Sequence, residues 1–429
     1  MESGAEKLKP SVYFRIALSV AILCGVFWAG AQTGFYRLAL TDAGFAIVTS
    51  CFFAVLLRTR LSFREVAGVL AIALLLFYVD TRILGYVSSW QSEIFLLGVA
   101  GLGVLALRVI WSEGEERRMA VFTLMPMLAL HSAGWCMPLF HGWTSKAQPA
   151  VLDLYLYSFD ASLGVQPSFL IGQLFVRYYP LFIVCLVVYM IPGIALALCY
   201  AGCLMKDKKT ALSAFIAFFI AAPAGFVLYN FFPALGPIYT FKGIFPWHAL
   251  TFAQARHLVV KPIVLEGLRN AMPSLHAGWA YLIFWYSRRL SLLERVAAGA
   301  ILVFTLLATL GTGEHYFIDL VVAVPFTLMI LAATNMIVHR AVAPLRMPLF
   351  IGLALTLAWF AALRFGLRVF WISPAIPWAA CLLTIAACFW MGRGLSDEQA
   401  RGTIETSWWR KQNGQTKVLT DQQDAMVAG

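Results

Sequence analysis

The sequence predicts an all-α protein, a polytopic bundle of about twelve transmembrane helices. Of its 429 residues, 61% are hydrophobic and 12% are charged, and the mean hydropathy is +0.80. A helix needs roughly 20 apolar residues to cross the hydrocarbon core of a bilayer, and runs of about this length recur along the chain. This composition excludes a soluble enzyme.

The apolar runs also set the boundaries of the predicted regions. Membrane helices without an assigned role occupy residues 1–145, and a core region follows at 146–340. Two further membrane helices occupy 341–392, and the polar tail at 393–429 is expected to be disordered. The individual spans are predicted at 12–32, 40–57, 65–86, 93–111, 119–140, 180–203, 210–231, 274–290, 295–311, 316–338, 347–366 and 373–391.

Basic residues collect in alternate loops. With twelve spans, one side of the membrane holds those near 7–9, 58–64, 117–118, 206–209, 288–295 and 340–346 and those of the tail. Lys and Arg favour cytoplasmic loops, so both termini are predicted to be cytoplasmic. The protein is expected in an inner or plasma membrane. The same bias accounts for the net charge of +11, so nucleic acid is not an expected partner.

The cysteines give no sign of a metal site or of another cofactor. All eight lie in or beside apolar spans, no CxxC occurs, and no Cys/His cluster has zinc spacing. We interpret them as small apolar core residues.

Two extramembrane stretches stand out in the core region. Residues 141–179 are rich in aromatic residues and turns, which is typical of an amphipathic segment on the outer membrane surface. Residues 232–273 form a long loop with four basic residues and one acid, Glu266, on the side that should be poor in positive charge. Either this is an ordinary solvated loop, or it covers a site for an anionic substrate.

Two short polar islands, at 269–276 and 311–319, each begin an apolar run on the outer side. Ionisable residues at membrane depth cost roughly 2.5–3.5 kcal/mol and usually have a function. In the second island His315 and Asp319 are four residues apart, which puts them on one helix face. A carboxylate there can hold one ring nitrogen and leave the other free to attack.

The first island has the chemistry of an anion site. Pro273 and Ser274 precede an apolar helix, so the N–H groups of Ser274, Leu275 and His276 should point to an anion, helped by the Ser274 hydroxyl. His276 could protonate a departing oxygen. Each island alone could be a simple helix cap. Together, beside the basic loop, they indicate phosphoryl transfer through a phosphohistidine.

These residues resemble the type 2 phosphatidic acid phosphatase superfamily, and within it the branch that contains inositol phosphorylceramide synthases. The resemblance lies mainly in Ala-Met-Pro-Ser-Leu-His at 271–276 and Gly-Glu-His-Tyr-Phe-Ile-Asp at 313–319. The earlier stretches at 159–167 and 232–237 are similar to that family too, so the resemblance extends over roughly 150–340. It implies a bundle of about six helices that needs no metal. It also implies that His315 is the nucleophile, Asp319 its orienting partner and His276 the general acid.

The sequence departs from that family in the residues that bind phosphate. The Lys-x6-Arg-Pro clamp is missing, and Ala308 and Thr309 stand where a Ser-Arg pair is expected. Another cation must therefore neutralise the phosphate. The first choice is Arg269, seven residues before His276, and the others are Lys261, Arg256 and Lys242.

The predicted function is transfer of a phosphate or phospho-headgroup, with phosphoinositol as one candidate, between a lipid of the bilayer and an alcohol. With water as the acceptor the same chemistry makes a lipid phosphatase. A twelve-span transporter and a catalytically inactive scaffold are the rivals, but both leave the histidine islands unexplained. No pattern in the sequence specifies an oligomeric state.

Overall fold

The computed structural model describes residues 10–31, 62–87, 90–339 and 345–395. The predicted all-α membrane-type bundle is confirmed. Two short strands, β1 (Ala150–Val151) and β2 (Ile263–Val264), pair antiparallel, with Ala150 opposite Val264. They join the start of the core region to the long loop of 232–273.

Helices make up about 79% of the described chain. The N-terminal helices are α1 (Pro10–Ala31), α2 (Phe63–Tyr78, continued by a π-helical turn at Val79–Ile83), α3 (Trp90–Trp111) and α4 (Gly114–Ala147). The others are α5 (Asp153–Ser162), α6 (Pro167–Arg177), α7 (Tyr179–Met190), α8 (Pro192–Lys206), α9 (Lys208–Phe231), α10 (Pro237–Thr240), α11 (Phe252–Arg256), α12 (Leu275–Ser287), α13 (Leu292–Gly311), α14 (Phe317–His339), α15 (Arg346–Phe365), α16 (Leu367–Phe370) and α17 (Ala375–Leu395).

Seven helices of the described residues are long and apolar enough to cross a membrane, and a bent pair could supply an eighth. The seven coincide with seven of the twelve predicted spans. The predicted span at 40–57 and the polar tail beyond 395 lie outside the described residues. The predicted span at 119–140 falls within α4, and the one at 274–290 is the shorter helix α12.

The predicted single span at 180–203 is two helices. Its apolar run is interrupted between α7 and α8 at Ile191, directly before Pro192. Proline has no N–H to continue a helix and clashes with the preceding turn. A bend of 118° separates α6 from α7.

The buried core lies in the second half of the chain, where α9, α12 and α14 pack on one another and α13 packs on α12. The helix α5 was expected on the membrane surface, but residues 156–162 are all buried. Helices α1, α2 and α3 form a separate hydrophobic cluster. Helix α5 therefore lies inside the main cluster, which also includes residues of α15 and α17.

Candidate active site

The two polar islands meet in the structure. His276 is the second residue of α12, and His315 lies in the turn between α13 and α14. The centroids of their imidazole rings are 6.4 Å apart, with the ring planes inclined by 66°. The backbone of His315 is fixed on both sides, because its N–H donates to the Thr309 carbonyl and its carbonyl accepts from the Ser168 hydroxyl.

The tautomer of His315 follows from its neighbours. Its Nδ1 lies 2.9 Å from the carbonyl oxygen of Ala271. A carbonyl can only accept a hydrogen bond, so Nδ1 carries the hydrogen and Nε2 of the neutral ring keeps a lone pair. The Ser274 hydroxyl lies 3.2 Å from Nε2 and can donate to it. Burial lowers the pKa of His315 to about 4, which keeps the ring neutral at pH 7.

Asp319 lies beside the ring but is not its direct partner. Its Oδ2 is 3.5 Å from Nδ1 of His315, which is longer than a normal hydrogen bond. The same oxygen accepts from the backbone N–H of Tyr316 at 2.8 Å. The ring is thus held by the Ala271 carbonyl, where the sequence predicted a carboxylate, and Asp319 lies beside it without a normal hydrogen bond.

Ser274 is the N-cap of α12, and its side chain is fully buried. Its hydroxyl accepts from the N–H of Ala277, and its own N–H donates to the Asp319 carbonyl. The expectation that the Ser274 N–H would be free is therefore not met. The N–H groups of Leu275 and His276 have no acceptor within the described chain, so two of the three predicted anion donors remain available.

The His276 ring is held by aromatic side chains. It stacks on Tyr189, with centroids 4.1 Å apart and planes inclined by 22°, and Trp279 meets it edge-on at 6.2 Å. Tyr189 stands near the end of α7, just before the break at Pro192. The hydropathy pattern predicted one continuous span in this region, and Tyr189 was not predicted to be part of the site.

Two buried carboxylates of α5 tie down the loops around His315. Asp153 accepts from the N–H groups of Leu235 and Gly236, and Asp160 accepts from those at the start of α14. Burial raises the pKa of both carboxyls, and the N–H groups oppose that shift. A spacing of seven residues, which puts both on one face of a helix, was a signal for them in the sequence.

Arg269, the first choice for a phosphate ligand, is engaged elsewhere. Only 5% of its surface is exposed, and its guanidinium donates to backbone carbonyls on both sides of the β1–β2 pair. Lys242, Arg256 and Lys261 are exposed and make no ion pair with another described residue. The carbonyls that bind Arg269 are those of Gln148, Pro149, Leu265 and Gly267.

A carboxylate, that of Glu314, lies next to His315 instead. Both oxygens of Glu314 accept from the Tyr239 hydroxyl, at 3.2 and 3.3 Å. Glu314 interacts electrostatically with His315, and burial raises the pKa of the Glu314 carboxyl. Among the described residues, no Lys or Arg interacts with Glu314, His276 or His315, and no three His, Cys, Asp or Glu side chains gather as metal ligands.

Comparison with known proteins gives a match to a protein family. Residues 154–333, less than half of the chain, match the family model described as the PAP2 superfamily. Members of that superfamily are phosphatases or phosphotransferases that act on lipid phosphates. The matched stretch begins in α5, ends in α14 and includes both histidines. No curated protein and no solved structure matches the chain significantly.

Proposed function

We propose that this chain is a membrane enzyme of the PAP2 type that transfers a phospho-headgroup from a lipid to an alcohol through a phosphohistidine at His315. The main support is the pair of imidazoles 6.4 Å apart, in one of which Nε2 carries no hydrogen. A near-attack contact spans about 3–3.5 Å, and a general acid lies about 2.6–3.2 Å from its oxygen. A phosphorus and its departing oxygen fit between rings at this separation.

In the first step, Nε2 of His315 attacks phosphorus, and the bond from phosphorus to the oxygen of the lipid alcohol breaks. The Ser274 hydroxyl turns from Nε2 to a phosphate oxygen, and the N–H groups of Leu275 and His276 bind the anion at the start of α12. The imidazolium of His276 gives its proton to the departing oxygen. The negative charge of the bound phosphate favours this protonated form.

In the second step, the acceptor alcohol gives its proton to His276, and its oxygen bonds to phosphorus. The bond between phosphorus and Nε2 then breaks, and both histidines return to their starting states. While the phosphohistidine exists, its ring carries a positive charge that Asp319 stabilises from 3.5 Å.

The charges around the site support a phosphodiester donor. A phosphate monoester carries about −1.5 to −2 charges at pH 7, whereas a diester carries a single one. No described Lys or Arg interacts with the two histidines, and Glu314 adds a carboxylate beside His315. A second negative charge on the substrate would meet repulsion with little to balance it. Phospholipids with an intact headgroup, phosphatidylinositol among them, are therefore the proposed donors.

The test uses purified protein in detergent with headgroup-labelled phospholipids and a panel of alcohols. The panel includes phosphatidic acid as the monoester and phosphatidylinositol as a diester. We expect label on the added alcohol with wild type, no turnover with His315→Ala, and normal turnover with His257→Ala, which changes an exposed histidine. Acid-labile label on the protein would report the phosphohistidine.

The alternative outcomes are distinct. Release of label without an added alcohol would make the enzyme a lipid phosphatase that uses water. Substantial turnover by His315→Ala would remove that residue as the nucleophile. No reaction with any donor would favour the hypothesis that the protein is a transporter.

A further inference from the structure

The start of α14 lacks a capping residue of its own. The first four N–H groups of a helix have no partner inside it, and a Ser, Thr, Asp or Asn side chain just before the helix usually accepts one of them. Tyr316 occupies that place here, and its hydroxyl reaches Asp153 and Thr240 instead. This helix start carries the turn with His315, so its geometry fixes that ring.

Asp160 supplies the missing acceptors from α5. Its Oδ2 accepts from the N–H of Phe317 at 2.7 Å, and its Oδ1 accepts from the N–H of Ile318 at 3.2 Å. The carboxylate is fully buried, and no described Lys or Arg pairs with it. Its negative charge lies at the positive end of the helix dipole, where an anion is stabilised.

This arrangement leaves Asp319 partly free. As the third residue of α14, Asp319 is the local carboxylate that could cap the helix. It uses only Oδ2, for the N–H of Tyr316, and its buried Oδ1 has no hydrogen-bond partner in the described chain. Because Asp160 caps Phe317 and Ile318, Asp319 can remain near Nδ1 of His315.

We propose that Asp160 is a positioning residue for phosphoryl transfer: it caps α14 in place of Tyr316 and so keeps Asp319 available to the His315 ring. This role rests on the proposed function. Without Asp160, the carboxylate of Asp319 turns toward the uncapped N–H groups, and the turn that carries His315 loosens. Both effects act on the reacting groups and leave the parts that bind the lipid in place.

The test compares Asp160→Asn and Asp160→Ala with Ser162→Ala. Ser162 is a matched control because it is buried on the same helix and its hydroxyl bonds only within that helix, to Phe159. Asn keeps one acceptor oxygen, so its defect should be smaller than that of Ala. For folded Asp160→Ala, we expect kcat to fall by roughly 10–100-fold, the effect of a displacement near 1 Å, with KM within about threefold.

Amide hydrogen exchange gives a second readout that needs no activity. Peptides that cover 314–320 should exchange faster in Asp160→Ala than in wild type or Ser162→Ala, with α12 unchanged. Slower turnover with unchanged exchange, or a loss explained entirely by a smaller folded fraction, would overturn the proposal. If wild type transfers nothing, the proposed function fails, whereas faster exchange confined to this turn still supports the capping role.

Discussion

Replacement of Gly236 by alanine should displace the turn that carries His315. Gly236 has φ +122°, a region that side chains rarely adopt, and its N–H donates to Asp153 at 2.8 Å. A Cβ built there would lie 2.3 Å from the carbonyl oxygen of Glu314 and 2.7 Å from that of Gly313. Both are backbone atoms, so no side chain can turn away to make room.

The size of the effect follows from these distances. An ordinary van der Waals contact starts at 3.4 Å and the Cβ would lie at 2.3 Å, so Glu314 must move by about 1 Å relative to Gly236. The strained backbone costs about 1–3 kcal/mol, and the bond from the Ile238 N–H to the Gly313 carbonyl contributes about 0.5–1.5 kcal/mol. We therefore expect the free energy of unfolding to fall by about 2–4 kcal/mol. A misplacement of about 1 Å next to His315, the proposed nucleophile, should lower kcat on the order of 10²-fold.

Gly243→Ala is the matched control. Gly243 lies in the same loop and also has a positive φ, +80°, but a Cβ there would meet nothing within 4 Å. It should lose about 1–2 kcal/mol from backbone strain alone, with normal turnover. Both variants would be compared with wild type for headgroup transfer per folded molecule and for thermal stability in detergent. If the kcat of Gly236→Ala stays within threefold of Gly243→Ala, the contact with Glu314 does not control the geometry of His315.

Four further outcomes are expected. Asp319→Asn should lower kcat by at least about 10²-fold with little change in thermal stability, and a normal rate would end its electrostatic role. Several millimolar EDTA should leave turnover unchanged, since the described residues gather no metal-ligand cluster; a loss restored by added Mg²⁺ would contradict this. Glu314→Gln should raise kcat/KM for phosphatidic acid relative to phosphatidylinositol by about tenfold, because a like charge is removed, and an unchanged ratio would refute the charge argument. Since burial lowers the pKa of His315 to about 4, kcat/KM should keep its His315-dependent part down to about pH 4. The same low pKa affects folding stability, because the folded state binds fewer protons at this ring than the unfolded chain does. The contribution of the ring to the free energy of unfolding is therefore complete above about pH 6.5 and is lost as the pH falls through 4. His315→Gln should lack this loss in a pH series of thermal midpoints.

The membrane spans could be predicted because each depends on local composition. Seven of the predicted apolar runs coincide with long apolar helices, within a few residues at each end. Pro192 was the signal for the break within 180–203, but the apolar residues on both sides of it predicted one continuous span. At residues 153–162 the aromatic density suggested a segment on the membrane surface, whereas tertiary packing buries most of them.

The two histidines could be predicted because each stands in a short motif, and spacing within a motif is a local property. The position of Arg269 could not, because its acceptors Gln148 and Pro149 are 121 and 120 residues away. A basic residue seven positions before a catalytic histidine suggests a phosphate ligand. The fold instead uses its donors to join loop backbones, whose carbonyls give no signal in a sequence.

The two helix starts of the site show why one half of it was visible in the sequence and the other was not. At α12 the cap is Ser274 itself, so the sequence contains both the helix start and its capping side chain. At α14 the residue in that place is Tyr316, and the acceptor is Asp160, 157 and 158 residues away from the N–H groups that it binds. A missing local cap before a helix that must enter the core implies that a remote group fills it, since buried N–H groups are nearly always paired. The tyrosine before α14 was therefore a signal for a buried acceptor elsewhere. The two carboxylates spaced by seven residues at 153 and 160 were the candidates for that acceptor.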